Sequence, residues 1–143
     1  MKKALMLILL LGLWGIFPGW AQADRDWRPM GGGSRDGKRA YDLYFDANSN
    51  AKTPQGTMVI WVKDVPTDWG REVQKDRLPA ETIYILIMYE VDCQTKMFRR
   101  LKTEYHGRKG LISERSSSDD WKEATKGKVN YKFYCTACQV PCK

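Results

Sequence analysis

The sequence predicts one small domain made mainly of β-strands and exported from the cytoplasm. Three observations carry that prediction. Several segments alternate apolar and polar residues with a period of two, which marks half-buried strands. A cationic and apolar leader precedes them all. Four cysteines, Cys93, Cys135, Cys138 and Cys142, all lie beyond that leader. The chain has 143 residues, a length at which one core is the default. Its 43% hydrophobic and 29% charged residues are the balance of a globular chain, not a disordered one.

The leader comes first. Lys2 and Lys3 open a cationic region, and Ala4 to Phe17 form an apolar run of 14 residues. That run falls short of the ~20 residues that span a bilayer. Pro18-Gly19 breaks it, and Ala21-Gln22-Ala23 supplies the small residues of a signal-peptidase site. The prediction is a signal peptide over 1–23 and a mature domain over 24–143, with no stable transmembrane span after cleavage. Loss of Lys2 and Lys3 lowers the formal charge from +7 to +5. The mature protein is then periplasmic or secreted, and surface display is left open.

The strands follow in order. A short edge strand is expected at Trp27, then a mobile turn at Gly31-Gly32-Gly33. Ala40 to Asp46 alternates, with Tyr41, Leu43 and Phe45 on one face and Asp42, Tyr44 and Asp46 on the other. After an Asn/Ser/Pro/Gly turn, Thr57 to Asp64 is β-branched and aromatic. Val65 to Glu81, with two prolines and mixed charges, reads as a long connection. Thr82 to Asp92 is apolar on both sides: Ile83, Ile85, Ile87, Tyr89 and Val91 on one, Tyr84, Leu86 and Met88 on the other. Such a strand belongs at the centre of a sheet. Thr95 to His106 is a basic strand whose alternation sets Lys96, Arg100 and Lys102 on one side, and Leu111 to Arg115 adds a short strand. Val129 to Cys138 fits either period: Val129, Tyr131, Phe133 and Cys135 alternate, while Val129, Phe133 and Ala137 recur at helical spacing.

An even number of cysteines in an oxidising compartment points to disulfides. Of three possible pairings, the favoured one joins Cys93 to Cys135 and Cys138 to Cys142, tying a strand end to the C-terminal segment. A redox pair at Cys135 and Cys138, or a four-sulfur zinc site, would use the same residues, but Cys135-Thr136-Ala137-Cys138 stands near the C-terminus and not after an early strand.

Other motifs lack essential members. Gly32-x4-Gly37-Lys38 has phosphate-loop spacing, but Arg39 stands where Ser or Thr should hold magnesium. Asp46-Ala47-Asn48-Ser49-Asn50 begins like a calcium loop, but Ala51 and Thr57 occupy the positions of its glycine and bidentate glutamate. It reads instead as a turn capped by its own Asx side chains. The single histidine, His106, excludes any mechanism needing two imidazoles. No catalytic residues, metal or cofactor are expected, and nucleic acid is not an expected partner.

Beyond these local readings, the order of landmarks is informative. Trp27 precedes a strand ending Tyr44-Phe45-Asp46-Ala47, followed by Val59-x-Trp61-Val62-Lys63. Then come Glu90-Val91-Asp92-Cys93, the basic Phe98-Arg99-Arg100-Leu101, a late Trp121 and Cys135. Over residues 27–135 this resembles the surface-adhesin protein E family of small exported bacterial proteins. The resemblance implies an α+β fold: a single antiparallel β-sheet of about five to six strands, with a C-terminal helix packed on one face and tied by a disulfide equivalent to Cys93–Cys135. It makes Val129–Cys135 a helix. It implies adhesion to extracellular-matrix glycoproteins such as laminin and vitronectin. This chain departs from the pattern at Thr125-Lys126-Gly127-Lys128 and in its Cys-containing tail, 136–143.

The expected function is therefore a non-enzymatic binding module. Its expected surface combines the apolar row Tyr84, Leu86 and Met88 with the basic row Lys96, Arg100 and Lys102, and its partner is a matrix glycoprotein or an acidic envelope component. A structural envelope homodimer, or a thiol–disulfide protein using Cys135 and Cys138, are the alternatives.

Overall fold

A computed structural model describes residues 24–116 and 118–142; the expected signal peptide lies outside the described residues. The chain runs β1 (Trp27–Arg35), β2 (Lys38–Asp46), β3 (Ala51–Lys52), β4 (Met58–Pro66), α1 (Asp68–Val73), β5 (Tyr84–Asp92), β6 (Met97–Gly107), β7 (Gly110–Ser116), β8 (Lys122–Glu123) and α2 (Val129–Cys138). The strands form one antiparallel sheet in the order β1-β2-β4-β5-β6-β7, with β3 added to β4 and β8 to β6. Eight strands replace the expected five to six, because two-residue β3 and β8 are too short to show a period in the sequence.

The strands read from alternation fall where expected. β5 sits between β4 and β6, as its two apolar sides require. Tyr89 and Val91 face α2, whereas Ile83 precedes the strand and is 38% exposed. The core joins Leu43, Ile60, Val62, Val91 and Phe98 of the sheet to Phe133, Tyr134, Cys135 and Ala137 of α2. Phe133 stacks on Tyr89 at 4.5 Å between ring centroids and meets Phe98 edge-on at 6.3 Å. This packing decides Val129–Cys138 in favour of helix: the spacing Val129, Phe133, Ala137 puts one continuous apolar row on the sheet.

Three expectations change. The glycine run is strand, not turn. Gly33 has no side chain, so the Tyr41 ring lies across it, in space a Cβ would occupy. The turn falls instead at Asp36-Gly37, whose positive φ values of 52° and 73° join Arg35 to Lys38 in a two-residue hairpin. The long connection holds α1, capped by the Thr67 hydroxyl, which accepts from the Gly70 N–H at 3.0 Å.

The cysteine pairing also differs. Cys93 joins Cys138 and Cys135 joins Cys142. Cys135 lies in the core row of α2 at 4% exposure, and the chain folds back beyond the left-handed Gln139 to bring Cys142 to it. Cys138, nearly one turn further along, meets Cys93 at the end of β5. The helix is tied to the sheet as expected, through a different cysteine.

Candidate functional site

The α2 face of the sheet is covered; the opposite face carries no helix from α2 and presents a row of aromatic and charged side chains. Strand alternation builds it. Trp61 and Lys63 of β4 pair in register with Met88 and Leu86 of β5, and Lys102, Glu104 and His106 of β6 pair with Met88, Leu86 and Tyr84. Directly paired residues share a face, so all of these point away from α2.

Contacts link them into a ladder across the sheet. The Arg25 guanidinium lies 4.8 Å from the Trp61 ring and 5.6 Å from the Trp27 ring. The Lys63 ammonium is 5.8 Å from Trp27 and 4.5 Å from Tyr84. Tyr84 stacks on His106 at 4.8 Å, with planes 7° apart. His106 Nε2 meets Glu104 at 3.0 Å, and Lys102 bridges Glu104 at 2.8 Å and Glu114 of β7 at 2.9 Å. Burial works against ionisation of Glu104, but hydrogen bonds from Lys102 and His106 outweigh it and hold the carboxyl below its ordinary range. Hydrogen bonds to Glu104 and Glu114 hold the Lys102 ammonium above its ordinary range. Trp27, Trp61, Tyr84 and Met88 are all half-buried, so each offers a ring or thioether surface to solvent while being anchored in the sheet.

The expected apolar row is thus only partly available. Tyr84 and Met88 reach the surface, whereas Leu86 is 6% exposed and serves as floor. The basic row does not exist as one surface. A register shift pairs Met88 with Lys102 but Tyr89 with Arg100, which leaves Leu101 as an extra residue in β6. Alternation therefore breaks between the two cations. Arg100 shares the α2 side with Tyr89 and is held by Asp119 at 3.1 Å. Lys102 lies on the open face and is neutralised by two glutamates. Lys96 sits in the β5–β6 turn at φ 58°, outside either strand. What the sequence reading missed is Arg25, Trp27, Trp61 and Lys63. The signal was present: in Met58–Lys63, Ile60 and Val62 alternate with Val59, Trp61 and Lys63.

Elsewhere, Asp46 Oδ1 accepts from the N–H groups of Asp26 and Asn48, each at 3.1 Å, and its carbonyl accepts from Ser49 Oγ at 2.8 Å, so the Asp46–Asn50 segment is the expected Asx-capped turn. Cys135 and Cys138 belong to separate bridges and are not bonded to each other. Among the described residues no group of three His, Cys, Asp or Glu side chains is placed to hold a metal ion, and no helix is long and apolar enough to cross a membrane. The open face holds rings, cations and ion pairs, groups able to stack and to pair by charge.

The profile of the surface-adhesin protein E family matches residues 27–139. The chain belongs to that family. The match spans β1 through the end of α2, and so includes the open face apart from Arg25, together with Cys138, the cysteine that ties α2 to the sheet. No curated protein and no solved structure gives a significant match. Membership carries an adhesin-like role and an exported or surface location in general terms.

Proposed function

We propose that this chain is an exported, non-enzymatic binding module that engages a matrix glycoprotein through the open face of its sheet. The observation that supports this is the ladder Arg25–Trp27–Lys63–Tyr84–His106, with Trp61 beside it, which carries ring faces and cations from β1 to β6. Aromatic rings fixed at two torsions lose little entropy on contact, and Trp and Tyr dominate the residues that carry binding energy at protein surfaces. The cations between them add attraction for acidic groups on the partner.

The test is solid-phase binding of the mature protein to laminin and to vitronectin. Trp61→Ala combined with Tyr84→Ala should weaken binding by about tenfold or more, as loss of two central rings does. Melting curves of the variant show whether the fold survives. Unchanged binding by a folded double variant would remove the open face from the account. Loss of self-association instead of ligand binding would favour a homodimer across the same face.

A further inference from the structure

A second surface stands apart from the open face, on the α2 side at the β1 edge of the sheet. A groove of about 580 Å³ runs between the glycine segment of β1 and the start of α2. Lys126, Lys128 and Lys132 line it, together with Tyr41, Tyr131 and Ser34, and no carboxylate is among its described lining residues. None of the three lysines forms an ion pair with a described residue, in contrast to Arg100 and Lys102 of the basic strand. In the β1–β2 hairpin Asp36 is engaged with Arg35 and Asp42 with Arg39, and Asp64 of β4, whose charge acts on Tyr41, does not line the groove. The first turn of α2 adds no acidic residue.

Local structure explains the gathering. Lys128 and Lys132 are one helical turn apart, at the edge of α2 nearest β1. The Lys132 ammonium lies 2.7 Å from the place a Cβ on Gly31 would take, so the bare backbone of β1 makes room for it. Tyr41 and Tyr131 are both half-buried, each presenting part of a ring to the groove. Three uncompensated ammonium groups in one concavity repel one another, and an anion placed between them relieves that repulsion.

We propose that this groove binds a sulfated glycan segment. Sulfate groups remain ionised at every physiological pH and meet lysine as a point charge from any direction, whereas paired arginines are the better match to planar carboxylates. The two tyrosine rings supply flat apolar walls for saccharide rings. This site is independent of the open face, and what sets its lysines apart is that three of them line one concavity.

Isothermal titration calorimetry of the mature protein with a heparin octasaccharide tests it. Lys126→Ala/Lys128→Ala/Lys132→Ala should weaken binding by about tenfold or more, while Lys52→Ala/Lys109→Ala/Lys122→Ala, which removes the same charge elsewhere, should leave most of the affinity. The desulfated octasaccharide should bind far more weakly, and rising salt should weaken the wild-type interaction. Equal loss in the two triple variants, both folded by melting curve, would overturn the site in favour of non-specific charge. Poly-glutamate binding as tightly as the octasaccharide, in a manner dependent on the same three lysines, would overturn the sulfated glycan in favour of an acidic peptide. Failure of the wild type to bind the octasaccharide would overturn the proposal outright.

Discussion

Asp64 is half-buried on the α2 side of β4, and replacing it with asparagine should stabilise the protein at neutral pH. One of its carboxylate oxygens, Oδ1, is buried without a hydrogen-bond partner. Burial, reinforced by the nearby Asp42 charge, pushes its pKa up from 3.8 to about 6. The folded state therefore keeps a proton that the unfolded chain releases near 3.8. Stability from this group is complete below about pH 4 and is lost as pH rises through about 6. Two pKa units correspond to about 3 kcal/mol, which the ionised form costs above that window. An amide is neutral at every pH and escapes most of that cost, less whatever its own unpaired polar atoms forfeit, so Asp64→Asn should gain about 1–3 kcal/mol at pH 7.5 and little at pH 4. Other carboxylates titrate in the opposite sense: hydrogen bonding holds Asp92 and Glu104 below their ordinary values. The quantity to measure is accordingly the difference between wild type and variant, from urea unfolding at pH 4 and pH 7.5. A gap that does not change with pH, or a variant less stable at pH 7.5, would refute the argument from burial.

Two further predictions concern the attachment of α2. Phe133→Ala removes the ring that meets both Tyr89 and Phe98 and should cost about 3–5 kcal/mol in urea unfolding; a loss under 1 kcal/mol would mean that α2 is not packed as described. Cys93–Cys138 closes 45 residues and Cys135–Cys142 closes 7. Loop-closure entropy then assigns about 4 and about 2.4 kcal/mol to them. Cys93→Ser/Cys138→Ser should destabilise more than Cys135→Ser/Cys142→Ser, and peptide mapping of the unreduced protein should recover Cys93 linked to Cys138. Recovery of Cys93 linked to Cys135 would contradict the described pairing.

How far the fold can be read from the chain depends on whether side chains carry the pattern. β2 and β4 are marked directly by alternation at Leu43, Ile60 and Val62, and β5 by apolar residues on both sides, Ile85 and Val91 on one and Leu86 on the other. The start of β1 is expected at Trp27, but its continuation is invisible to that reading because Gly31, Gly32 and Gly33 have no side chains to alternate; the marker of the full strand is the Asp36-Gly37 hairpin turn. α2 was ambiguous because one decapeptide satisfies both periods, and only contact of Phe133 and Ala137 with the sheet separates them. The cysteine pairing depends on which way two side chains nearly one helical turn apart point, which spacing does not contain. The supposed basic row failed for a comparable reason. One extra residue, Leu101, reverses the alternation between Arg100 and Lys102, and no local propensity announces a bulge. Tyr84 and Met88 were rightly placed on the second face, but their partners Trp61 and Lys63 come from the neighbouring strand, and Trp27 and Arg25 from beyond the next. Register brings them together, and register is a property of the sheet.

The most direct measurement is hydroxyl-radical footprinting of the mature protein with and without bound laminin or vitronectin. Trp27, Trp61, Tyr84 and Met88 are readily oxidised and share the open face. They should lose reactivity together on binding, while Tyr131 of α2, half-buried on the covered side of the sheet, keeps its own. Unchanged reactivity at Trp61 and Tyr84 in a complex that has formed would contradict the account.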